Sequence, residues 1–519
     1  MCSLLAGMTA TTALAQDISV RRATWDEATA GSELERYLRL AQIGGDAPLG
    51  QFTARGFSPR ELAMLAPTGA HPWAGRFGAA PTRGWWVIRP SAQLVANSGF
   101  AFGRNDGPMW AGRGLTGAAA GGVAFRWGAL SGQLAPQAWW AQNASFRRLP
   151  VKGANQQTNA DFAGGTIDYP QRLGPGSVGR IDPGESYMRI DAYGVAAGVS
   201  SASDWWGPGV SGSPLLSNNA GGIPRLFLGT SSARNVWIGD LSARVIVGKL
   251  RPSGIFADTS NPTGAQLATA AVATLSPRAL PGLELGVIRF FHQFWPKGGP
   301  RWHDIAVLWS DVAPNILQSG VIQGNELASV FARVTLPASG LEVYAEYARD
   351  DHNSANALDL ITEPDHDALT VFGFQRRSAS HGAATWWVVR GEVTDARMTH
   401  LDQVRHQVLF YQHGRYSMGH TLRGQLLGSP FVRGGSGAEL AVDHYSAAGR
   451  ESLSWTRQGL AVNEVGGLGY GAIHALEASA LRFTPRGDVT LRAGLDWRVG
   501  SESTYNAMNL NLSVGWQPR

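Results

Sequence analysis

Apolar and polar residues alternate strictly along the C-terminal part of the chain. In the last such segment the apolar residues share one face: Met508, Leu510, Leu512, Val514 and Trp516. The polar or small residues share the other: Asn509, Asn511, Ser513 and Gly515. The segment 489–499 alternates in the same way. Alternation over this length predicts β-strands that each have one apolar and one polar face.

The alternation alone leaves open whether the apolar faces meet a soluble core or a lipid bilayer. Three features favour a membrane barrel. The polar faces carry Arg, Glu and Asp, tryptophans lie near the strand ends, as in Trp85-Trp86, Trp139-Trp140 and Trp386-Trp387, and the last strand bears Trp516 close to the C-terminus. We count sixteen to twenty such segments, which predicts an all-β fold: one large antiparallel transmembrane barrel in the bacterial outer membrane.

The composition agrees with this prediction. Charged residues make up 16% of the chain, and the net charge is only +5. The basic residues form no cluster of the kind that nucleic-acid binders carry, so a nucleic-acid partner is not expected. No run of 18 or more apolar residues predicts a membrane-spanning helix.

The start of the chain is typical of a secretory signal. An apolar stretch ends in Ala13-Leu14-Ala15, a small-x-small cleavage pattern that predicts a signal peptide over residues 1–15. The basic beginning of such a signal is missing, which leaves open a start further upstream. Cleavage would remove Cys2, the only cysteine, so disulfides are not expected to stabilise the mature chain.

Residues 16–83 are predicted to form a small helical region on the periplasmic side. Ser32 and Glu35 fit a capping box, and Gly44 with Gly45 would end the helix that follows. Ser58 and Pro59 fit the start of a second helix. Residues 84–519 are assigned to the barrel. The stretches 147–185, 250–282 and 350–368 are predicted to be long loops that face the medium or fold into the lumen.

One two-part motif resembles a known family. Ser203-Asp204-Trp205-Trp206-Gly207-Pro208-Gly209 is followed by Pro214-Leu215-Leu216-Ser217-Asn218-Asn219-Ala220. This pattern resembles the Wzi-like capsule assembly family, and the segments 325–328, 341–351 and 419–437 are similar to it as well. The resemblance implies an outer-membrane barrel of about eighteen strands with a helical N-terminal element, which attaches or orders capsular polysaccharide. The chain departs from the family at Gly221-Gly222, where members commonly carry Arg-Pro.

The motif supplies the candidate polysaccharide-binding residues. They are Asp204, Trp205, Trp206, Gly207, Pro208, Gly209, Ser217, Asn218 and Asn219. The two tryptophans either stack on sugar rings or pack a tight Gly-Pro-Gly turn. The two asparagines either bond sugar hydroxyls or cap loop backbone.

No cofactor, metal site or catalytic residue is predicted. The acidic stretches 350–352 and 363–367 suit Ca²⁺ by composition, but their spacing fits no calcium-loop pattern. No G-x-S-x-G elbow precedes a helix, so an enzyme is not expected.

The predicted function is therefore to bind, anchor or organise capsular or extracellular polysaccharide at the cell surface. The alternative is an outer-membrane porin or sugar-uptake channel, because the polar lumen face fits both. The expected partners are the polysaccharide, outer-membrane lipid and the polysaccharide export machinery, and the expected state is a monomer.

Overall fold

The computed structural model describes residues 23–148, 159, 167–256, 264–309, 324–350, 367–378, 382–396, 410–433, 435–460, 471–500 and 506–519. The expected signal peptide lies outside these residues. Within them, none of the helices has the length and apolar character needed to cross a bilayer.

The N-terminal region contains a 3₁₀ turn (Trp25–Glu27) and two helices, α1 (Glu33–Ile43) and α2 (Pro59–Leu65). At the start of α1, Ser32 Oγ accepts a hydrogen bond from Glu35 N at 3.2 Å, which satisfies one of the unpaired amides there. Ser58 and Glu61 form a complete capping box at α2, whose first residue is proline. The predicted N-terminal helical element is confirmed.

Eighteen antiparallel strands within the described residues close into one barrel. They are β1 (Gly84–Asn97), β2 (Gly114–Trp127), β3 (Leu130–Leu134 and Gln137–Ala141), β4 (Val178–Asp182 and Tyr187–Ala192), β5 (Val195–Ser200), β6 (Arg225–Thr230 and Arg234–Val236), β7 (Gly239–Leu250), β8 (Gln266–Pro277), β9 (Leu283–Phe294), β10 (Asn325–Leu336), β11 (Leu341–Asp350), β12 (Ala368–Arg377), β13 (Trp386–Asp395), β14 (Ser436–Ser446), β15 (Gly449–Leu460), β16 (Gly471–Thr484), β17 (Gly487–Gly500) and β18 (Ala507–Pro518). The predicted barrel of about eighteen strands is confirmed.

The barrel wall follows the alternation in the sequence. On β18 the apolar side chains point outward, and Leu510 is 51% exposed, whereas Asn509 on the opposite face is fully buried in the lumen. The barrel closes where β18 pairs with β1, from Ala92 opposite Trp516 to Asn97 opposite Asn511. The apolar band therefore faces lipid, as in other outer-membrane barrels.

The two ends of the barrel differ in the length of their connections. Two-residue turns, such as 128–129, 447–448 and 485–486, join strands at one end. Connections such as 98–113 and 201–224 join them at the other. Short turns mark the periplasmic side of outer-membrane barrels, and long loops mark the extracellular side.

Two of the predicted long loops are wrong in extent. β8 crosses the barrel inside 250–282, and the segment Val178–Asp182 of β4 lies inside 147–185. The alternation of β8 is weak in the sequence because its lumen face is also apolar or small. Ala268, Ala270 and Val272 on that face are buried in the main core of the protein.

The lumen is filled from both ends. From the short-turn end, α1 enters the barrel, where Arg39 forms an ion pair with Glu342 of β11 at 2.7 Å. From the other end the connection 201–224 folds inward. The two meet where Ala54–Arg55 pairs with Trp205–Trp206 in a two-stranded sheet. We call residues 23–83 and 201–224 together the plug.

Candidate functional site

The tryptophan pair of the motif lies in the centre of the plug. Trp205 is 1% exposed and Trp206 is fully buried. The guanidinium of Arg55 lies 4.3 Å from the centre of a Trp205 ring, and Trp206 N donates to Leu216 O at 3.0 Å. Neither ring has a face open to a sugar in this structure, so their geometry fits the packing interpretation.

Asp204 fixes the start of the inward connection to the barrel wall. Its carboxylate forms ion pairs with Arg225 at 2.6 Å and Arg244 at 3.1 Å. All three side chains are largely buried, and Arg244 belongs to β7. A paired carboxylate inside a protein is strongly destabilised when a partner is removed, so this cluster holds the connection in place.

The Gly207-Pro208-Gly209 turn is shaped by its surroundings. Gly207 has a φ of +111°, and a Cβ added there would lie 2.2 Å from a carboxylate oxygen of Glu346, so only glycine fits. The amide of Gly207 donates to Thr53 O at 2.7 Å. Pro208 O accepts from Arg39 at 2.6 Å. The turn thus links the inward connection to the N-terminal half of the plug.

The amides that follow this turn point at one carboxylate of the wall. Val210 N and Gly212 N donate to Glu392 of β13 at 2.6 and 3.0 Å, and Ser211 N does so at 3.2 Å. Tyr344 OH donates to the same carboxylate at 2.7 Å. Hydrogen bonds to a charged acceptor are among the stronger ones in proteins.

The second half of the motif joins three extracellular connections. Ser217 Oγ donates to Gly428 O at 2.8 Å, and Asn219 Nδ2 donates to Leu426 O at 3.0 Å. Asn219 Oδ1 accepts from Asn105 N at 3.3 Å, and Asn218 O accepts from Gly107 N at 2.8 Å. The side-chain contacts of Asn219 fit the alternative in which the asparagines cap loop backbone, whereas the bond of Asn218 is made by its backbone carbonyl.

The glycine pair that departs from the family pattern has a local explanation. A Cβ added to Gly222 would lie 2.2 Å from Ser201 O and 2.4 Å from Ala202 O. Any side chain at this position would push the two ends of the inward connection apart.

A pocket of about 160 Å³ lies above the plug, among the extracellular connections and the outer ends of β15 to β17. Its aromatic lining consists of Phe100, Phe102, Trp110, Phe146 and Tyr169. Its polar lining includes Asn105, Gln171, Asn219, Gln425, Gln458 and Arg498. We call this cavity the outer pocket.

Internal contacts fix the walls of the outer pocket. Arg498 lies 4.4 Å from the ring centre of Phe100, and Gln425 Nε2 donates to Gly107 O at 3.0 Å. Trp110 Nε1 donates to Asn143 at 3.4 Å. A rigid pocket that combines ring faces with amides and a guanidinium suits sugar rings, which present apolar faces and many hydroxyls.

The sequence prediction and the outer pocket overlap at Asn219. The aromatic residues of the pocket were missed because no motif marks them. A usable signal was the cluster of Phe100, Phe102 and Trp110 within one long connection between two strands.

A second, more polar cavity of about 420 Å³ lies deeper in the lumen. It is lined by Asn218 and by charged residues of both signs: Arg36, Arg104, Asp106, Arg390, Glu439, Arg450, Glu477 and Arg492. Burial lowers the pKa of Arg104 and raises the pKa of Asp106.

Two buried titratable residues connect the loops above the plug. His420 Nε2 donates to Leu215 O at 2.5 Å, and burial lowers the pKa of His420 to about 4. Asp168 accepts from the amide and hydroxyl of Ser253 at 2.5 and 2.6 Å, and burial raises its pKa to about 6.

Among the described residues, no group of three or more His, Cys, Asp or Glu side chains is placed to hold a metal ion. Residues 351–366, which include most of both acidic stretches, lie outside the described part of the chain.

Comparison with known proteins gives one family and several similar folds. The family model of the capsule assembly protein Wzi matches residues 100–516. The solved structure of Wzi from Escherichia coli, described as an outer-membrane protein involved in group 1 capsule assembly and a carbohydrate-binding β-barrel, is 14% identical with a TM-score of 0.61. That match covers 94% of this chain and 98% of that one. At this identity it shows a shared fold.

Two further solved structures also resemble the barrel. A BenF-like porin from Pseudomonas fluorescens is 8% identical, with a TM-score of 0.43 over 83% of this chain and 98% of that one. OpdK from Pseudomonas aeruginosa is 11% identical, with a TM-score of 0.41 over 83% and 97%. These scores are too low to bear on function. No curated protein sequence matches the chain.

Proposed function

This chain belongs to the Wzi family of capsule assembly proteins, and on that basis we propose that it binds capsular or extracellular polysaccharide and anchors it at the cell surface. Its barrel places it in the outer membrane, with the long connections toward the medium. The observation that carries the proposal is the outer pocket, which combines five aromatic side chains with amides at the extracellular end.

The proposed mechanism is non-covalent. The faces of Phe102 and Tyr169 would stack on sugar rings, while Gln171 and Asn219 would bond hydroxyls. Each contact is weak, and a repeating polymer that engages many copies of the protein gains affinity through multivalency. The net charge of +5 contributes little steering over a chain of this size.

The plug favours an anchor over a channel. Arg39, Asp204 and Glu392 each tie it to the barrel wall or to the other half of the plug. A segment fixed at so many points across the lumen opposes free diffusion of sugars. We further propose that the protein acts as a monomer, binds its polymer without turnover and receives it from the export machinery.

The test is binding of the full chain, solubilised in detergent, to purified surface polysaccharide of its host. We expect Phe102→Ala and Tyr169→Ala each to weaken binding about three- to tenfold, because each removes one stacking surface. Tyr193→Ala is the matched control, since Tyr193 is fully exposed in a periplasmic turn. Equal binding by Tyr169→Ala and Tyr193→Ala would overturn the pocket assignment.

A single-channel conductance trace on the same sample separates the two functions. Polymer binding without steady conductance supports the anchor. Stable open conductance without polymer binding would instead favour the porin.

A further inference from the structure

The connection that follows β9 lies against the outside of the barrel. It comprises residues 295–309, with helix α3 (Trp302–Ala306) and a 3₁₀ turn (Val307–Trp309), and we call it the external segment. Val307 and Leu308 are buried against Phe291 of β9, with Val245 of β7 and Ala271 of β8 beside them.

The register of β9 shows that this contact is on the lipid-facing side. His292 points into the lumen, where its Nε2 lies 2.8 Å from Nδ1 of His420. Phe291, the residue before it, therefore points outward, as do Leu285 and Val287, which are 40% and 51% exposed. Phe291 is only 4% exposed because the external segment covers it.

An outward-facing ion pair is part of the same contact. Arg289 pairs with Glu326 of β10 at 2.7 Å, and Arg289 also donates to Leu308 O at 2.7 Å. Charged side chains on the lipid face are costly near the bilayer centre. The cover provided by the external segment explains how this pair is tolerated.

The height of the contact places the external segment in the outer leaflet. Arg289 follows Leu283, the first residue of β9, by six residues. At a rise of about 3.3 Å per residue and a tilt of about 40°, that is roughly 15 Å from the periplasmic edge of an apolar band about 25 Å tall. The contact is therefore beyond the midplane, on the extracellular side.

The exposed surface of the external segment combines tryptophan with positive charge. Trp302 is 73% exposed and Trp309 is 43% exposed. Lys297 and Arg301 are exposed, and Lys249 of β7 lies 4.2 Å from the ring centre of Trp295. The acidic residue of α3, Asp304, is turned toward the helix start, where it accepts from Arg301 N at 2.7 Å. Such a surface suits an anionic membrane interface.

We propose that the external segment binds the phosphate groups of the outer-leaflet glycolipid through Lys297 and Arg301, with Trp302 and Trp309 against its sugar and acyl boundary. This site lies on the opposite side of the barrel wall from the lumen and does not depend on polysaccharide binding in the outer pocket. It would fix the depth and rotation of the barrel in the outer leaflet.

The test measures binding of lipid A with both phosphates to the full chain in detergent. We expect the double variant K297E/R301E to bind about tenfold more weakly, because each basic side chain near an anionic surface contributes to attraction. The matched control is R83E/R486E, which reverses two exposed arginines at the periplasmic end. It should bind like the wild type, and both variants should keep heat-modifiable mobility on gels and bind polysaccharide normally.

Two comparison lipids test which chemical groups of the lipid the external segment recognises. Dephosphorylated lipid A should bind more weakly than lipid A, and equal binding would overturn the role of the phosphates. Equal affinity for phosphatidylglycerol would overturn the glycolipid assignment in favour of a general anionic interface. Equal lipid A binding by K297E/R301E and wild type would overturn the site itself.

Discussion

The aromatic residues of the plug and those of the outer pocket differ in what surrounds them. Trp205 and Trp206 are enclosed by the N-terminal region, a guanidinium and the barrel wall. Phe102 and Tyr169 line a cavity at the extracellular end. The tryptophans of the most recognisable sequence motif thus lie in the interior, and of the motif residues Asn219 alone lines the surface suited to a ligand. In this chain the motif residues mainly hold the plug inside the lumen, and they contribute little to the proposed binding surface.

The strongest test of this contrast is Trp206→Ala, which removes a fully buried side chain from the plug. We expect a loss of about 3–5 kcal/mol in the free energy of unfolding, because the variant loses apolar burial and leaves a cavity. The measurement is guanidinium unfolding in detergent, followed by tryptophan fluorescence. Trp237→Ala is the control: Trp237 is 90% exposed, so its loss should change stability by less than about 0.5 kcal/mol. Equal effects would mean that the plug does not stabilise the barrel.

Glu392→Gln tests the contact between the plug and the wall. The amide side chain would keep one acceptor oxygen, replace the other with an NH2 donor that faces the backbone N–H groups, and lose the charge that strengthens their hydrogen bonds. We expect a cost of about 2–3 kcal/mol, with faster hydrogen exchange at Val210, Ser211 and Gly212. Gln458→Ala, in the outer pocket, should leave the exchange of these amides unchanged. Unchanged exchange in Glu392→Gln would show that other contacts hold the connection inside.

The shifted pKa values of His420 and Asp168 predict that these two residues change the stability of the protein in opposite directions as the pH falls. The pKa of His420 is lowered to about 4, so its contribution to stability is present above about pH 6.5 and is lost as the pH falls toward 4. The pKa of Asp168 is raised to about 6, so burial of its carboxylate reduces stability as the pH rises from about 4 to 6.

Single variants should separate these two effects. Relative to wild type, Asp168→Asn should lose about 2 kcal/mol of stability between pH 7 and pH 4, and His420→Gln should gain stability over the same range. Unfolding midpoints at pH 7, 5.5 and 4 provide the measurement. Parallel slopes in the two variants would contradict this assignment.

The smallest expected effect distinguishes the two asparagines that the sequence presents as a pair. Asn219 bonds Leu426 O and Asn105 N through its side chain, whereas the hydrogen bond given above for Asn218 uses its carbonyl. We expect Asn219→Ala to cost about 1 kcal/mol and Asn218→Ala less. Polysaccharide binding by the two variants should follow the same order, because Asn219 lines the outer pocket. The reverse order would place the binding surface at the deeper cavity.

The barrel could be predicted from the sequence because alternation is a local property: neighbouring residues of a strand face lipid and lumen in turn, and each side selects its own residue types. It failed over β8, where small apolar residues such as Ala268 and Ala270 face the plug and conceal the period. It left the roles of Trp205 and Asn219 open because turn packing and ligand contact use the same residue types. Those roles depend on whether a long connection folds inward, and the partners that decide this, such as Glu392 and Thr53, are distant in sequence.

The outer pocket could not be predicted from the sequence because its residues, too, are distant from one another along the chain. Its lining is drawn from at least four separate connections and strand ends, from Phe100 to Arg498. The connection 98–113 contributes most of the lining and the other segments contribute a few side chains each, and no local pattern shows that these segments will meet. Only the cluster of aromatics between Phe100 and Trp110 was a local signal.

The seam between β1 and β18 has a consequence for biogenesis. The seam pairs six residues of each strand, whereas β17 and β18 pair over twelve. Because residues 23–83 precede β1, whose first residue lies at the periplasmic end, pairing of β1 with β18 brings this region to the mouth of the lumen. Closing of the barrel and filling of its lumen are thus coupled through one strand, and the short seam leaves fewer backbone hydrogen bonds to form at that step than the β17–β18 junction.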